Sequence, residues 1–168
     1  SAAHGKVFLI DDDDFILQVH AELLRSVGLE VSCFDSSSLF LQRYRQGGCE
    51  CILSDLRMPE VSGPQLQAQL LEQAVDTPII FITGHADVPT AVEAMRRGAF
   101  DYVEKPVHGQ HLLDRVNAAL TLSRERYRQR QQRTSREARL ALLTPQEGKI
   151  ARWVVEGKSS REIAELDG

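Results

Sequence analysis

The stretch VFLIDDDD, residues 7–14, sets a four-residue apolar run directly before four aspartates. Three further polar residues stand at the ends of later apolar runs, namely Asp55, Thr83 and Lys105. In a parallel α/β sheet the carboxyl ends of the strands lie along one edge, so residues that are far apart in the chain meet there. Clustered carboxylates bind a hard divalent cation, and a hydroxyl and an ammonium can hold phosphoryl oxygens. The sequence therefore predicts one phosphoryl-handling site at this edge.

Short apolar runs alternate five times with stretches of helical spacing, which predicts an α/β fold: a five-stranded parallel sheet with helices on both faces. Gly28 and Gly98 are expected to end the first and fourth helices. The fifth helix begins after Pro106 and meets no helix breaker before Pro145, so it is predicted to continue into an arginine-rich segment. The predicted strands are residues 7–10, 31–34, 51–54, 78–82 and 100–103.

The bulk composition, with 42% apolar residues in 168, is typical of a soluble globular protein. No segment approaches the roughly 18 uninterrupted apolar residues of a membrane span, and residues 1–6 lack a hydrophobic signal region. A cytoplasmic protein without a membrane partner is expected. The three cysteines lack a zinc-binding spacing and are predicted to be buried, reduced thiols.

Charge divides the chain into three segments. Residues 1–120 carry 9 basic and 17 acidic side chains, residues 121–140 carry 7 arginines against 2 glutamates, and the remainder carries 4 basic against 5 acidic side chains. A solvated linker helix is the favoured interpretation of the basic segment, because charge runs are usually exposed faces. The alternative is an electrostatic arm for DNA phosphates. A second folding unit is predicted from Leu143, with Thr144 as the cap of its first helix.

Three fragments, in order, resemble the receiver domain of two-component response regulators over residues 5–122. VFLIDDDD resembles the first strand with its acidic pair, and SDLRMPEVSG (54–63) resembles the phosphorylation-site loop. FITGHADVPTAVEAMRRGAFDYVEKP (81–106) resembles the region from the switch hydroxyl to the lysine and its proline. The resemblance implies a five-stranded parallel sheet in the order 2-1-3-4-5, flanked by helices.

Residues 143–166, LTPQEGKIARWVVEGKSSREIAEL, resemble the first half of the LuxR/FixJ-type helix-turn-helix domain. The expected domains are a receiver at 5–122, a helical linker at 123–141 and a partial, all-α DNA-binding unit at 142–168 that lacks the reading helix. The resemblance implies a transcription regulator phosphorylated by a sensor histidine kinase. DNA is the expected partner of the full-length protein, with weak binding or none by this chain.

By the same resemblance, Asp55 is the phosphoacceptor in a magnesium-dependent reaction. Asp12, Asp55 and the backbone carbonyl of Arg57 are expected to hold Mg²⁺, or Mn²⁺ in its place. Asp11 is expected to act mainly through a metal-bound water.

Lys105 is expected to pair with Asp55 in the empty site and with a phosphoryl oxygen after modification. Thr83 is the expected switch hydroxyl, and Tyr102 is the aromatic side chain that turns inward with it. Lys105 and Pro106 resemble the family's cis peptide bond. Phosphorylation is expected to favour a homodimer through the fourth helix and the fifth strand.

Two alternatives stand beside this interpretation. A haloacid-dehalogenase-type phosphatase would use Asp11 as nucleophile together with Asp13, but Phe15 stands where that family has Thr or Val. In the favoured interpretation Asp13 begins the first helix instead. The other alternative is a stand-alone receiver that acts only through protein contacts. The favoured interpretation predicts no enzyme activity beyond self-catalysed phosphotransfer and autodephosphorylation.

Overall fold

The computed structural model describes residues 5–142. Its strands form one parallel sheet in the order β2-β1-β3-β4-β5, which confirms the predicted α/β fold and strand order. The strands are β1 (Lys6–Ile10), β2 (Glu30–Phe34), β3 (Glu50–Asp55), β4 (Ile79–Thr83) and β5 (Asp101–Glu104). The helices are α1 (Asp14–Ser26), α2 (Ser37–Arg43), α3 (Gly63–Glu72), α4 (Val88–Arg96) and α5 (Gly109–Ala141), with a short 3₁₀ helix at His85–Asp87.

Alternating strand residues fill two apolar cores, one on each face of the sheet. Val7 and Leu9 of β1 belong to the core that α1 and α5 cover. Phe8 and Ile10 belong to the core under α2, α3 and α4. Every residue of the central strand β3 is buried, as expected where helices cover both faces of a parallel sheet. Because each fully buried large apolar side chain contributes about 1.5–3 kcal/mol, these two cores fix the positions of the strand ends.

Local signals begin and end the helices. Gly28 follows α1 with φ +88° and Gly98 follows α4 with φ +105°, which confirms both as helix stops. Asp13, Ser36 and Ser62 precede α1, α2 and α3, and each side chain accepts a hydrogen bond from a backbone amide of the helix it caps.

Helix α5 continues to Ala141, which confirms the predicted extension into the basic segment. Leu112 and Val116, in the first part of α5, are fully buried. Further along the helix, Ser123 Oγ accepts a hydrogen bond from the backbone amide of Glu50 at 2.9 Å. The chain divides into two compact units, Ser1–Tyr127 and Arg128–Gly168. In the second unit the description covers 128–142, where the residues are helical to 141 and mostly exposed. The predicted helix-turn-helix residues from 143 onward lie outside the described part of the chain.

The cysteines are free thiols, but their burial differs from the prediction. Cys51, in β3, is fully buried, and Cys49, just before β3, is partly buried. Cys33 is exposed. The prediction is wrong for Cys33 because β2 is an edge strand that helices cover incompletely. Within residues 5–142, no helix combines the length and the apolar character needed to cross a membrane.

Gly63 provides a test of the packing that shapes the loop after β3. A Cβ at this position would lie 2.9 Å from the backbone oxygen of Leu56 and 2.9 Å from Cε1 of Phe81. Gly63→Ala should therefore lower the free energy of unfolding by about 1–3 kcal/mol, as overpacking does. Gly84→Ala is the matched control, since nothing lies within 4 Å of its Cβ position. Thermal or urea denaturation that shows equal changes in the two variants would contradict this account.

Candidate functional site

Four neighbouring strands bring polar side chains to the carboxyl-terminal edge of the sheet. Asp11 follows β1, Asp55 ends β3, Thr83 ends β4 and Lys105 follows β5. Since these strands are consecutive in the sheet, residues from distant parts of the chain meet at one edge. The Lys105 ammonium lies 3.1 Å from Oδ2 of Asp55. The predicted meeting of these polar side chains at one edge of the sheet is therefore confirmed.

An acidic cluster forms the centre of this edge. Carboxylate oxygens of Asp11, Asp12 and Asp55 all lie within 4.8 Å of one another. Asp11 Oδ1 accepts a hydrogen bond from the amide of Asp13 at 2.9 Å, while its buried Oδ2 has no hydrogen-bond partner. Burial, assisted by the nearby charge of Asp55 and opposed by the hydrogen bond from the Asp13 amide, raises the pKa of Asp11 to about 6. A buried, unpartnered carboxylate oxygen beside two more carboxylates is a donor set that fits a hard divalent cation.

Two hydrogen bonds fix the carboxylate of Asp55, which is 7% exposed. Oδ1 accepts from the backbone amide of Arg57 at 3.0 Å, and Oδ2 accepts from Nζ of Lys105 at 3.1 Å. The Lys105 side chain is 47% exposed, so its ammonium can change partner without leaving solvent contact. This carboxylate is therefore oriented at the sheet edge, with one of its two partners, Lys105, in contact with solvent.

Within residues 5–142, neither Thr83 nor Tyr102 makes a side-chain hydrogen bond to the Asp55 carboxylate. Thr83 is buried, and its hydroxyl donates to the carbonyl oxygen of Gly84 at 3.1 Å. Tyr102 is half-buried and packs against the apolar core under α4. The peptide bond between Lys105 and Pro106 is cis, as the resemblance implies. The backbone amide of Lys105 donates to Thr83 O at 2.8 Å, which links the ends of β4 and β5.

The remaining two aspartates of the acidic run, Asp13 and Asp14, stand at the start of α1. Asp13 is the N-cap of α1, and its Oδ1 accepts from the amides of Phe15 and Ile16 at 2.9 and 3.3 Å. This confirms its prediction as a helix-start residue. The phosphatase alternative needs Asp11 and Asp13 together, so the use of Asp13 as a cap disfavours it.

An ion pair that the sequence did not predict joins two loops at the rim of the site. Nε of Arg57 lies 2.6 Å from Oδ2 of Asp87, and Nη2 lies 2.7 Å from Oδ1. The hydrogen bond from the guanidinium, with its charge, lowers the pKa of Asp87. The available signal was local: an aspartate stands directly before Val88 and Pro89, a pattern typical of a helix start.

Comparison with known proteins gives the family. The sequence profile of the response regulator receiver domain matches residues 7–117. The response regulator protein TodT of Pseudomonas putida is 37% identical over 162 residues, which are 96% of this chain and 71% of TodT. The transcriptional regulatory protein FixJ of Azorhizobium caulinodans is 38% identical over 158 residues, which cover 94% of this chain and 75% of FixJ.

Solved structures agree with these sequences. The structure of the response regulator StyR is similar with a TM-score of 0.82 at 37% identity, over 96% of this chain and 82% of StyR. Full-length FixJ from B. japonicum is similar with a TM-score of 0.70 at 33% identity, over 96% of this chain and 80% of that one. With a profile match over more than half of its length and relatives of this similarity, the chain belongs to the two-component response regulators and contains their receiver domain.

Proposed function

We propose that Asp55 is the residue of this receiver domain that accepts a phosphoryl group from a sensor histidine kinase. The observation that carries the proposal is the set of contacts that its carboxylate makes. One oxygen accepts from the Arg57 amide and the other from the Lys105 ammonium, and one oxygen of Asp55 lies within 4.8 Å of an oxygen of Asp11 and of Asp12. A carboxylate held in this way is a fixed nucleophile next to groups that can balance the charge of a phosphoryl group.

The proposed reaction is a transfer from phosphohistidine to carboxylate. A carboxylate oxygen of Asp55 attacks phosphorus, an O–P bond forms as the N–P bond breaks, and the imidazole leaves with the electron pair and takes up a proton. The product is an acyl phosphate on Asp55. Because the transition state is loose and carries its charge on the equatorial oxygens, alignment and charge neutralisation are the main requirements.

Asp11, Asp12, Asp55 and the backbone carbonyl of Arg57 would hold Mg²⁺, or Mn²⁺ in its place. When bound, such a cation neutralises charge on the carboxylates and on the incoming phosphoryl oxygens. The unpartnered buried oxygen of Asp11 supports this assignment, because it lacks the hydrogen bond that a buried carboxylate oxygen otherwise requires.

Lys105 and Thr83 are the proposed ligands of the phosphoryl oxygens. The Lys105 ammonium would move from Asp55 Oδ2 to a phosphoryl oxygen, and the Thr83 hydroxyl would leave the Gly84 carbonyl to donate to another. That movement draws in the loop after β4, and the half-buried Tyr102 turns inward with it. No turnover of free substrates is proposed beyond self-catalysed phosphotransfer and autodephosphorylation.

The proposed output is regulation of transcription. The receiver at 5–122 and the linker at 123–141 would precede a LuxR/FixJ-type DNA-binding unit that begins at 142. Phosphorylation is proposed to favour a homodimer through α4 and β5, where Val92 is 39% exposed. A two-fold contact through this face would bring two linker helices together.

Mapping of the modified residue tests the proposal directly. Acetyl phosphate with Mg²⁺ should add one phosphoryl group to Asp55, and either Asp55→Asn or removal of Mg²⁺ by a chelator should reduce labelling to background. Asp13→Asn is the matched control, because asparagine caps a helix as well as aspartate does and should leave labelling unchanged. Peptide mapping that finds the group on Asp11, or persistent labelling of the Asp55→Asn variant, would overturn the assignment.

Sedimentation velocity tests the dimer. Addition of beryllium fluoride and Mg²⁺, a phosphoryl mimic, should convert the chain from monomer to dimer. Val92→Lys should prevent this shift, because it introduces a charge into the proposed contact. Val19→Lys changes a similarly exposed valine on α1 and should leave the shift intact. A chain that stays monomeric with the mimic bound would contradict the proposed output.

A further inference from the structure

The N-terminus of α4 differs from those of the three preceding helices. The N-cap residues of α1, α2 and α3 all have extended backbones, and their side chains accept hydrogen bonds from helix amides. The N-cap of α4, Asp87, has φ −102° and ψ 6° and makes no side-chain cap bond. Aspartate is among the preferred N-cap residues, and such residues are normally extended. Asp87 is therefore a capable cap that is not used as one.

Two features keep Asp87 from capping its helix. It is the last residue of the 3₁₀ helix His85–Asp87, where its amide donates to Gly84 O at 3.0 Å, and Arg57 holds its carboxylate. Both of its carboxylate oxygens accept from the Arg57 guanidinium, at 2.6 and 2.7 Å. Pro89 has no amide hydrogen at the second helical position, so the amide of Thr90 is the donor that an Asp87 cap would use. The carboxylate cannot take this donor while the bidentate pair keeps it turned toward Arg57.

Arg57 also has a second potential partner. Its backbone amide donates to Asp55 Oδ1 at 3.0 Å, and its side chain is 78% exposed, so among the described residues only the pair with Asp87 fixes its direction. Arg57, Asp87 and Thr90 line one recess, together with Asp12 of the acidic cluster. Oxygens of Asp55 and Asp12 lie within 4.8 Å of each other, so a phosphoryl group on Asp55 would bring a second, more highly charged acceptor next to this recess. Guanidinium groups bind phosphoryl oxygens strongly.

We infer that Asp87 is a positioning residue with two alternative partners, the Arg57 guanidinium in the unmodified receiver and the Thr90 amide in the phosphorylated one. The trigger rests on the proposed phosphorylation of Asp55. After release of Arg57, Asp87 leaves the 3₁₀ helix, loses the hydrogen bond from its amide to Gly84 O and becomes extended, as at the other three caps. The segment between Thr83 and α4 moves with it. A change of charge at Asp55 thereby becomes a change in the first turn of α4.

Amide hydrogen exchange at Thr90, followed by NMR on the full chain, tests this inference. Arg57→Gln removes the competing guanidinium, and Asp87→Asn keeps a capping side chain while losing the charge that holds Arg57. Both variants should slow exchange at Thr90 roughly fivefold relative to the unmodified wild type, the effect of gaining an N-cap. Asp87→Ala cannot cap and should show no slowing. The amide of Gln65, which Ser62 caps in α3, is the internal control and should not change.

The phosphoryl mimic, beryllium fluoride with Mg²⁺, should slow Thr90 exchange in the wild type to the rate of Arg57→Gln but have no such effect in Asp87→Ala. Unchanged exchange in Arg57→Gln and Asp87→Asn would overturn the inference, as would equal slowing in Asp87→Ala. Bound mimic, seen by fluorine NMR, without slowing in the wild type would also overturn it. Slowing in the two capping variants without any bound mimic would support the Asp87 assignment and instead overturn the proposed function of Asp55.

Discussion

Repulsion among three carboxylates, opposed by one ammonium, is the constraint on which the site depends. Oxygens of Asp11, Asp12 and Asp55 lie within 4.8 Å of one another, and the Lys105 ammonium lies 3.1 Å from Asp55. The parallel sheet imposes this proximity, because its strands end along one edge. Burial, and then the charges of the two neighbouring carboxylates, raise the pKa of Asp11 to about 6. The Lys105 ammonium and the proposed cation would both neutralise part of the negative charge of these three carboxylates.

Backbone hydrogen bonds hold the strand ends that carry these charged side chains. The amide of Leu56 bonds to Ile82 O at 2.9 Å and that of Lys105 to Thr83 O at 2.8 Å, so hydrogen bonds between strands extend to the loops. The Thr83 hydroxyl and the Arg57 guanidinium, by contrast, hold partners that a phosphoryl group could replace. The fold therefore keeps the strand ends in place, while the proposed signal changes which acceptor each donor binds and moves the segment between Thr83 and α4.

The sequence predicted the features that arise from periodicity and from strand ends. Apolar alternation predicted the five strands, the resemblance to receiver domains implied their order, and the positions of Asp55 and Lys105 at strand ends predicted that they would meet. The partner of the Thr83 hydroxyl could not be predicted, because rotation about one bond selects it. The pair between Arg57 and Asp87 was missed for a related reason: two loop residues leave no periodic signal, and only the folded chain brings them together. Relatives establish the family, whereas the roles of individual residues remain proposals.

The free energy of unfolding of Asp11→Asn, with and without Mg²⁺ at matched ionic strength, tests the central claim most directly. Because the folded pKa of Asp11 lies above its ordinary value, its ionisation at neutral pH opposes folding when no cation is bound. The variant should therefore be more stable than the wild type without Mg²⁺. The wild type should gain stability from Mg²⁺, as any protein gains from a ligand of its folded state, and the variant should gain much less. A variant that is less stable without Mg²⁺ and equally stabilised by it would contradict the account.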